Sequence, residues 1–212
     1  MPDSQFPTIT GREGLASRAD VLARPSAAPR SPGAYAWYFR RVPPGIDATG
    51  CLVREGLTLL YVGISPSEPP TNGRVPSRST LRQRLRTHYA GNASGSTLRK
   101  TLGCLLADDL GFSLRRVGSG ERLTFTNPGE RVLDEWLAEN ALVTWVVAER
   151  PWEKERQVLK SGVPLPLNIR DNPCAAHTEL LSGVRRRAVA AALALPVVAD
   201  NGGARRVRLE GQ

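Results

Sequence analysis

Two apolar, aromatic-rich segments separated by a Pro- and Gly-rich stretch constrain the fold of this chain more than any other feature. The first, at residues 33–39, reads GAYAWYF after Pro32, and the second, at 57–64, reads LTLLYVGI. Aromatic and β-branched residues favour strands, and the Pro-Gly pair favours a turn that opens the first of them. Residues 42–55 suit a long hairpin connection. We therefore expect a core built around antiparallel strands.

Helical signals follow the second strand. Ser79 is a plausible N-cap for a helix at 80–89, and a second helix is expected from Ser96 because leucines at 98, 102, 105 and 106 share one face. Further elements are expected as a short strand at 112–117, helices at 127–140 (Asn127 as N-cap), 152–160 and 178–195, and a strand at 142–148. This order predicts an α/β (α+β) fold: a small, central, mainly antiparallel three-stranded sheet flanked by helices, with helical extensions.

The length of 212 residues suits one domain with tails. We divide the chain into an N-terminal arm at 1–30, a main domain at 31–176, a C-terminal helix at 177–195 and a disordered basic tail at 196–212. The arm is rich in Pro, Ser, Ala and Gly, with a weak helical stretch near residues 14–23.

The chain is basic, with 29 Lys and Arg against 20 Asp and Glu and a net charge of +9. Residues 66–100 hold seven basic side chains against one Glu, and residues 185–212 hold six against two acidic ones. Two local basic regions favour a polyanionic partner such as nucleic acid.

The sequence also argues against a membrane-spanning or secreted protein and against disulfide or zinc sites. No stretch is long and apolar enough to span a membrane, and the absence of a secretory signal predicts a cytoplasmic protein. Three widely spaced cysteines without a C-x-x-C pair argue against a disulfide framework and a structural zinc site.

Six positions carry a more specific signal than the charge. They are Tyr35 and Tyr61 on the first two strands, Arg84 and His88 on the next helix, Glu155 on a later helix, and Asn168 in the turn after it. In order and context these residues, with Gly33 and Gly63 in the tripeptides G-A-Y and Y-V-G, resemble the GIY-YIG nuclease superfamily. The resemblance covers about residues 32–172. It implies metal-dependent hydrolysis of phosphodiester bonds in DNA.

The resemblance implies a role for each of these positions. A tyrosine can accept the proton of the attacking water if nearby charge depresses its pKa, and the resemblance favours Tyr35 as that base. It places Tyr61 and Arg84 on the scissile phosphate. Arg84 and His88 are four residues apart, so they share a helix face on which His88 can relay a proton. Gly33 and Gly63 have supporting roles, and Gly63 is expected to let the backbone approach the phosphate.

The metal ligand implied by the resemblance is Glu155, with Glu153 as the alternative. A single carboxylate, completed by water and phosphate oxygens, suits Mg²⁺ or Mn²⁺. Asn168 is expected to brace the turn after the glutamate's helix, and Asn172 is a second local brace. The connection at 42–55 is longer than the family's usual hairpin, so we expect it to shape substrate access.

Nonspecific contacts to the nucleic-acid backbone are expected from Arg82, Arg86, Arg99 and Lys100. Tyr89 is a further candidate, because Leu81 and Leu85 define the buried side of its helix and leave it on another face. A catalytically inactive DNA-binding module with this fold stays open as the alternative. A homodimer is one way for a single site per chain to cut both strands, and successive nicking is another.

Overall fold

The computed structural model describes residues 14–199, so residues 1–13 of the expected arm and residues 200–212 of the expected tail at 196–212 lie outside the described residues. Disorder is wrong for residues 196–199 of that tail, because the N–H of Val198 donates to the Arg116 carbonyl at 2.9 Å and its carbonyl accepts from the N–H of Gly118 at 3.1 Å. Within that range the helices are α1 (Arg18–Leu22), α2 (Leu81–Ala90), α3 (Thr97–Leu110), α4 (Thr126–Asn140), α5 (Pro151–Leu159) and α6 (Ala175–Ala194). The strands are β1 (Gly33–Phe39), β2 (Val53–Arg54), β3 (Leu57–Ser65), β4 (Arg115–Val117), β5 (Arg122–Thr124) and β6 (Ala141–Val147). None of these helices has the length and apolar character needed to cross a membrane.

An antiparallel sheet in the order β2-β3-β1-β6 forms the centre of the molecule. Its three long strands are those expected from the sequence, and the two-residue β2 adds a fourth at the edge. Strands β4 and β5 form a separate hairpin. The α/β fold with a central antiparallel sheet is thus confirmed.

Strand β1 is buried along its whole length because both faces of the sheet are covered. Tyr35, Trp37 and Phe39 point into a core shared with α2, α3 and α4, whereas Ala34, Ala36 and Tyr38 point into a second core shared with α5. The two-residue side-chain period of a strand assigns alternate residues to opposite faces. Tyr35 therefore lies on the same side of the sheet as α2.

The N-terminal arm is packed onto the domain from residue 16 onward. Ala16 exchanges backbone hydrogen bonds with Val143 of β6, each of 2.9 Å, and both Val21 and Ala28 are fully buried. Arg18 donates to the carbonyl of Tyr89 and pairs with Asp134. Ala16, Val21 and Ala28 of the arm are thus part of the core on the α2 side.

Two expected N-caps are wrong. Thr80, not Ser79, caps α2 through a reciprocal box with Gln83, because the hydroxyl of Ser79 is paired with that of Ser65 at 2.9 Å. Helix α4 begins before Asn127 and has no side-chain cap, because its N-cap residue is Phe125. Phe125 is buried, and its N–H donates to the carboxylate of Glu130. Helix α6 begins at Ala175, three residues earlier than expected.

Candidate active site

A cleft of about 370 Å³ brings together side chains from β1, β3, α2, α5 and the turn after α5. Five of the six singled-out residues line it: Tyr35, Tyr61, Arg84, Glu155 and Asn168. The sixth, His88, is buried behind Tyr35, with ring centroids 5.5 Å apart. Residues 42–55 contribute nothing to the lining of this cleft, and the expectation that this connection shapes substrate access stays a prediction.

The hydroxyl of Tyr35 is the centre of a hydrogen-bond chain. It lies 2.8 Å from Nε2 of His88 and accepts from Nε of Arg84 at 3.4 Å. On the other side of the imidazole, Nδ1 lies 2.7 Å from Oγ of Ser96, which also accepts from the N–H of Arg99 to cap α3. With the imidazole proton on Nδ1, that N–H donates to Ser96 and Nε2 accepts from the Tyr35 hydroxyl, so both ring nitrogens are hydrogen-bonded.

Burial is the main influence on the pKa values of the side chains in this hydrogen-bond chain. It raises the pKa of Tyr35 above its usual range, although the neighbouring Arg84 guanidinium opposes the shift. It also holds the pKa of His88 well below its usual range, with the charges of Arg84 and Arg99 adding to the effect. The condition that nearby charge depresses the pKa of Tyr35 is therefore not met, because desolvation outweighs the favourable charge of Arg84. His88 is neutral at physiological pH.

Tyr61 stands beside Tyr35, with ring centroids 6.5 Å apart. Burial raises its pKa well above the usual range, and the neighbouring Tyr35 adds to the shift. Tyr61 therefore stays protonated and can act as a hydrogen-bond donor in the cleft.

The two glycines of the motif make room for other parts of the site. Gly63 pairs with Tyr35 across β1 and β3, and a Cβ at position 63 would lie 2.6 Å from the Tyr35 hydroxyl oxygen. A Cβ at Gly33 would lie 2.2 Å from the carbonyl oxygen of Val146. Gly63 is thus needed for the packing of the Tyr35 ring, which differs from the expected approach of backbone to phosphate.

Glu155 and Glu153 occupy different surroundings. Glu153 pairs with Arg150 at 2.9 Å on the surface of α5, whereas Glu155 lines the cleft. Within residues 14–199 the Glu155 carboxylate forms no hydrogen bond or ion pair. Burial raises its pKa to about 7, partly offset by the charge of Arg170.

A divalent ion can be held at Glu155 only if water molecules supply part of its coordination. The described residues contain no cluster of three or more Asp, Glu, His or Cys that could hold a metal by itself. A single desolvated carboxylate without a cationic partner is a suitable anchor for Mg²⁺, which keeps several waters and also takes phosphate oxygens. Of the two glutamates, Glu155 is the one suited to hold it.

Asn168 acts on a strand and not on the turn that we expected it to brace. Its side-chain oxygen accepts from the N–H of Val62 at 2.9 Å, and its amide donates to the Val62 carbonyl at 3.0 Å. Val62 lies between Tyr61 and Gly63, so this paired contact fixes the part of β3 that lines the cleft. Asn172 braces the turn, donating to the carbonyls of Leu165 and Asn168.

The residues expected to contact the nucleic-acid backbone differ in their surroundings. Arg82 and Arg86 donate to carbonyls of the arm, those of Ala28 and Leu22. Lys100 is half-buried, and burial is the main cause of its lowered pKa.

The expectation that Arg99 contacts the nucleic-acid backbone is wrong. Its side chain is 0% exposed and pairs with Glu130 and Asp134, each at 2.6 Å. Tyr89 is also buried, and its hydroxyl donates to the Ala141 carbonyl. Neither Arg99 nor Tyr89 is available to a nucleic acid. The buried packing of α2 and α3 against α4 takes up both side chains.

Ser96 and Arg185 are two of the side chains at the site that were not singled out from the sequence. Ser96 was recognised only as a helix start, since its contact with His88 joins two different helices. Arg185 lines the cleft from α6, one turn after the buried Leu181. A residue four positions from a buried leucine shares its helix face, and this spacing is the signal that could have selected Arg185 from its neighbours.

Comparison with known proteins gives one match. A family model described as the GIY-YIG catalytic domain matches residues 33–187, which is most of the chain and extends into α6. No curated protein and no solved structure matches.

Proposed function

This chain belongs to the GIY-YIG family, and on that premise we propose that it is a divalent-metal-dependent endonuclease that hydrolyses phosphodiester bonds in DNA. One observation carries the proposal: the Tyr35 hydroxyl is held between Arg84 and His88 in a cleft that Glu155 also lines. A proton acceptor, a cation and an unpaired carboxylate around one cleft are the groups that phosphodiester hydrolysis needs.

Tyr35 and His88 act together as the base. As water attacks the phosphorus, its proton passes to the Tyr35 oxygen while the Tyr35 proton passes to Nε2 of His88. Ser96 receives the Nδ1–H hydrogen bond and stabilises the imidazolium that forms. A relay suits this site better than a free tyrosinate, because burial disfavours ionised Tyr35 and keeps His88 neutral and ready to accept.

Arg84 and Tyr61 bind the scissile phosphate. The guanidinium uses Nε on Tyr35 and Nη1 on the Gly95 carbonyl, at 3.4 and 3.2 Å, and its Nη2 group has no partner among residues 14–199. It is free to donate to phosphate oxygens, and Tyr61 can donate a second hydrogen bond. The negative charge of the bound phosphate also favours the His88 imidazolium.

Glu155 would hold the metal. When bound, Mg²⁺ or Mn²⁺ would supply charge stabilisation to the phosphate and to the leaving oxygen. The carboxylate would anchor that ion from α5, and Asn168 keeps the facing stretch of β3 in place.

The test is cleavage of supercoiled plasmid and of duplex, branched and single-stranded oligonucleotides with Mg²⁺ and with EDTA. Wild type should cut only with metal, and Glu155→Gln and Tyr35→Phe should each lose at least about a hundredfold in rate. Glu153→Gln is the matched control, since it removes an equal charge from the surface of the same helix.

Two outcomes would contradict parts of the proposal, and a third result tests whether two sites act together. No cleavage of any DNA by wild type, with salt-sensitive binding retained, favours an inactive binding module. Equal rates for wild type and Glu155→Gln exclude Glu155 as the metal ligand. Linear product that forms without a nicked intermediate shows concerted cutting, which two sites in a dimer would perform.

A further inference from the structure

A groove of about 800 Å³ lies between the N-terminal arm and α2. Four of the nine described residues that line it are arginines, at positions 24, 30, 82 and 86, and none of the nine is Asp or Glu. No residue lines both this groove and the cleft that contains Tyr35 and Glu155. This arm groove is thus a second basic surface, separate from the candidate active site.

The two arginines of α2 are held at the arm groove by the backbone of the arm. Nε of Arg82 donates to the Ala28 carbonyl at 2.7 Å, and Nη1 of Arg86 donates to the Leu22 carbonyl at 3.1 Å. The other two nitrogens of each guanidinium have no hydrogen-bond partner within residues 14–199. Since an arginine carries five N–H donors, both side chains keep donors for a ligand.

The two arginines of the arm extend from a fixed backbone. The Ser26 hydroxyl donates to the Val21 carbonyl at 2.7 Å and accepts from the N–H of Ala28 at 3.2 Å. Two further carbonyls of the arm accept from the first N–H groups of α2. Arg24 and Arg30 themselves are exposed and form no ion pair or side-chain hydrogen bond in the described part of the chain. The backbone is therefore in place for a ligand, and both guanidinium groups are available to it.

No carboxylate compensates the four arginines of the arm groove among the described residues. Asp20, the acidic residue of α1, uses its carboxylate on the N–H and the hydroxyl of Ser17. By contrast, the exposed Arg41 elsewhere on the surface is paired with Asp109. Like charges around one groove repel one another, and an anion bound between them offsets that repulsion. The arm groove is therefore suited to a polyanionic ligand.

Helix α2 separates the arm groove from the cleft. Arg84 lines the cleft, whereas Arg82 and Arg86, two residues before and after it, line the arm groove. Two residues correspond to about 200° around an α-helix, so these side chains leave on nearly opposite sides. A helix with its side chains is about 10–12 Å wide, which is the length of about three base pairs of duplex. One duplex is thus long enough to contact both sides of α2.

We propose that the arm groove binds backbone phosphates of the nucleic acid that is cut in the cleft, through Arg24, Arg30, Arg82 and Arg86. Guanidinium groups bind phosphodiester oxygens with paired hydrogen bonds, which suits a groove lined by arginines. The arm then belongs to the substrate-binding surface. This proposal rests on the proposed function for the identity of the polymer.

The test measures binding of the full-length chain to two fluorescent DNA duplexes of unrelated sequence at several salt concentrations. EDTA is present, so that binding is measured without hydrolysis. The variants are Arg24→Ala, Arg30→Ala and the double variant, which leave the two α2 arginines and their bonds to the arm in place. The matched control is a double variant of Arg131→Ala and Arg186→Ala. It removes two charges from exposed arginines that line neither the arm groove nor the cleft.

We expect each single arm variant to weaken binding about tenfold, and the double variant to reduce the slope of log affinity against log salt by about two. Both duplexes should lose the same factor, because phosphate contacts carry no sequence information. The control variant should change affinity and slope much less. Thermal unfolding of every variant should match that of wild type, since the changed side chains are exposed.

Equal losses for the arm double variant and the control would overturn the proposal, because they would show only diffuse attraction to the total charge. A loss confined to one duplex would overturn phosphate contacts in favour of base contacts. Binding of a fluorescent oligoglutamate of equal charge as tightly as DNA would overturn a phosphodiester ligand.

Cleavage of the same duplexes by wild type with Mg²⁺ separates this proposal from the proposed function. Affinity that depends on the arm arginines, without any cleavage, supports the arm groove and contradicts the endonuclease. Cleavage by wild type, with affinity that does not depend on these arginines, supports the endonuclease and overturns the arm groove.

Discussion

At the scale of single residues, the site depends on side chains that are desolvated without full compensation. Glu155 is the clearest case, because burial raises its pKa to about 7 and no described cation pairs with its carboxylate. A group of this kind lowers the stability of the metal-free protein and is available for a ligand. Residues with strongly shifted pKa values are often found at functional sites for this reason.

We predict that Glu155→Gln stabilises the metal-free protein at pH 8 by about 1 kcal/mol. The folded-state pKa lies above the value of an unfolded carboxyl, so the ionised form costs stability above pH 7. The cost decreases as the pH falls from about 7 toward 4.5. The gain should therefore disappear near pH 4.5. Urea unfolding of wild type and Glu155→Gln in EDTA, at pH 8 and at pH 4.5, measures this difference in unfolding free energy.

The control for this prediction is Glu153→Gln, whose carboxylate is paired at the surface. Added Mg²⁺ should raise the melting temperature of wild type and leave that of Glu155→Gln unchanged. A stabilisation of Glu155→Gln that is the same at pH 8 and pH 4.5 would contradict the assigned ionisation.

Gly63 provides a second prediction at this scale. A methyl group at position 63 would lie 2.6 Å from the Tyr35 hydroxyl oxygen and 2.7 Å from Cζ, so the buried ring has to move. We expect Gly63→Ala to lose about 1–3 kcal/mol of unfolding free energy and most of the cleavage rate. Gly14→Ala is the control, because nothing lies within 4 Å of its added Cβ. An unchanged cleavage rate in a Gly63→Ala protein would contradict the close packing.

At the scale of elements, the junction between α2 and α3 determines how the His88 imidazole is oriented. Ser96 caps α3 through the N–H of Arg99 and at the same time contacts Nδ1 of His88 on α2. The start of one helix therefore orients a side chain near the end of the other. Sequence spacing predicted both helices, but it did not predict this contact, because the turn between them determines how they face each other.

We predict that Ser96→Ala lowers kcat about tenfold with little change in KM, since the imidazole loses the partner of Nδ1. The pH dependence of kcat should also shift, which a purely structural loss of the α3 cap would not cause. Ser96→Thr keeps a hydroxyl and should restore most of the rate. Equal kcat values and pH profiles for wild type and Ser96→Ala would exclude this positioning role.

At the scale of the whole molecule, a buried ion network connects the arm to three helices behind the site. Arg99 pairs with Glu130 and Asp134, donates to the carbonyl of His88, and Asp134 also pairs with Arg18 of the arm. Glu130 accepts from the N–H groups of Ala93 and Phe125 as well. This network supports the backbone at His88 from the side away from the cleft.

We predict that Glu130→Ala costs about 3–5 kcal/mol of unfolding free energy, because it leaves the fully buried Arg99 guanidinium without its main partner. Asp109→Ala removes an acidic partner of the exposed Arg41 and should cost less than about 1 kcal/mol. Denaturant unfolding of the two variants and of wild type measures these losses of unfolding free energy. Similar costs for the two variants would contradict a structural role for the buried network.

The three long strands, the positions of the major helices and the six singled-out residues followed from the sequence alone. Aromatic and β-branched runs, apolar spacing and Pro or Gly punctuation are local signals, and local signals are sufficient for elements. They also identified the family, since G-A-Y, Y-V-G, Arg84 with His88, and Glu155 occur in the right order. Helix starts were less certain, because neighbouring Ser, Thr and Asn residues compete to cap them.

Only the tertiary structure decided what the charged and small residues do. Arg99 and Arg185 are both arginines on helices, yet one is fully buried against Glu130 and the other lines the cleft. Gly63 and Asn168 owe their roles to Tyr35 and Val62, residues that are distant in sequence. The physical reason is that burial and ion pairing depend on which elements pack together, and the spacing of residues along one helix or strand does not contain that information.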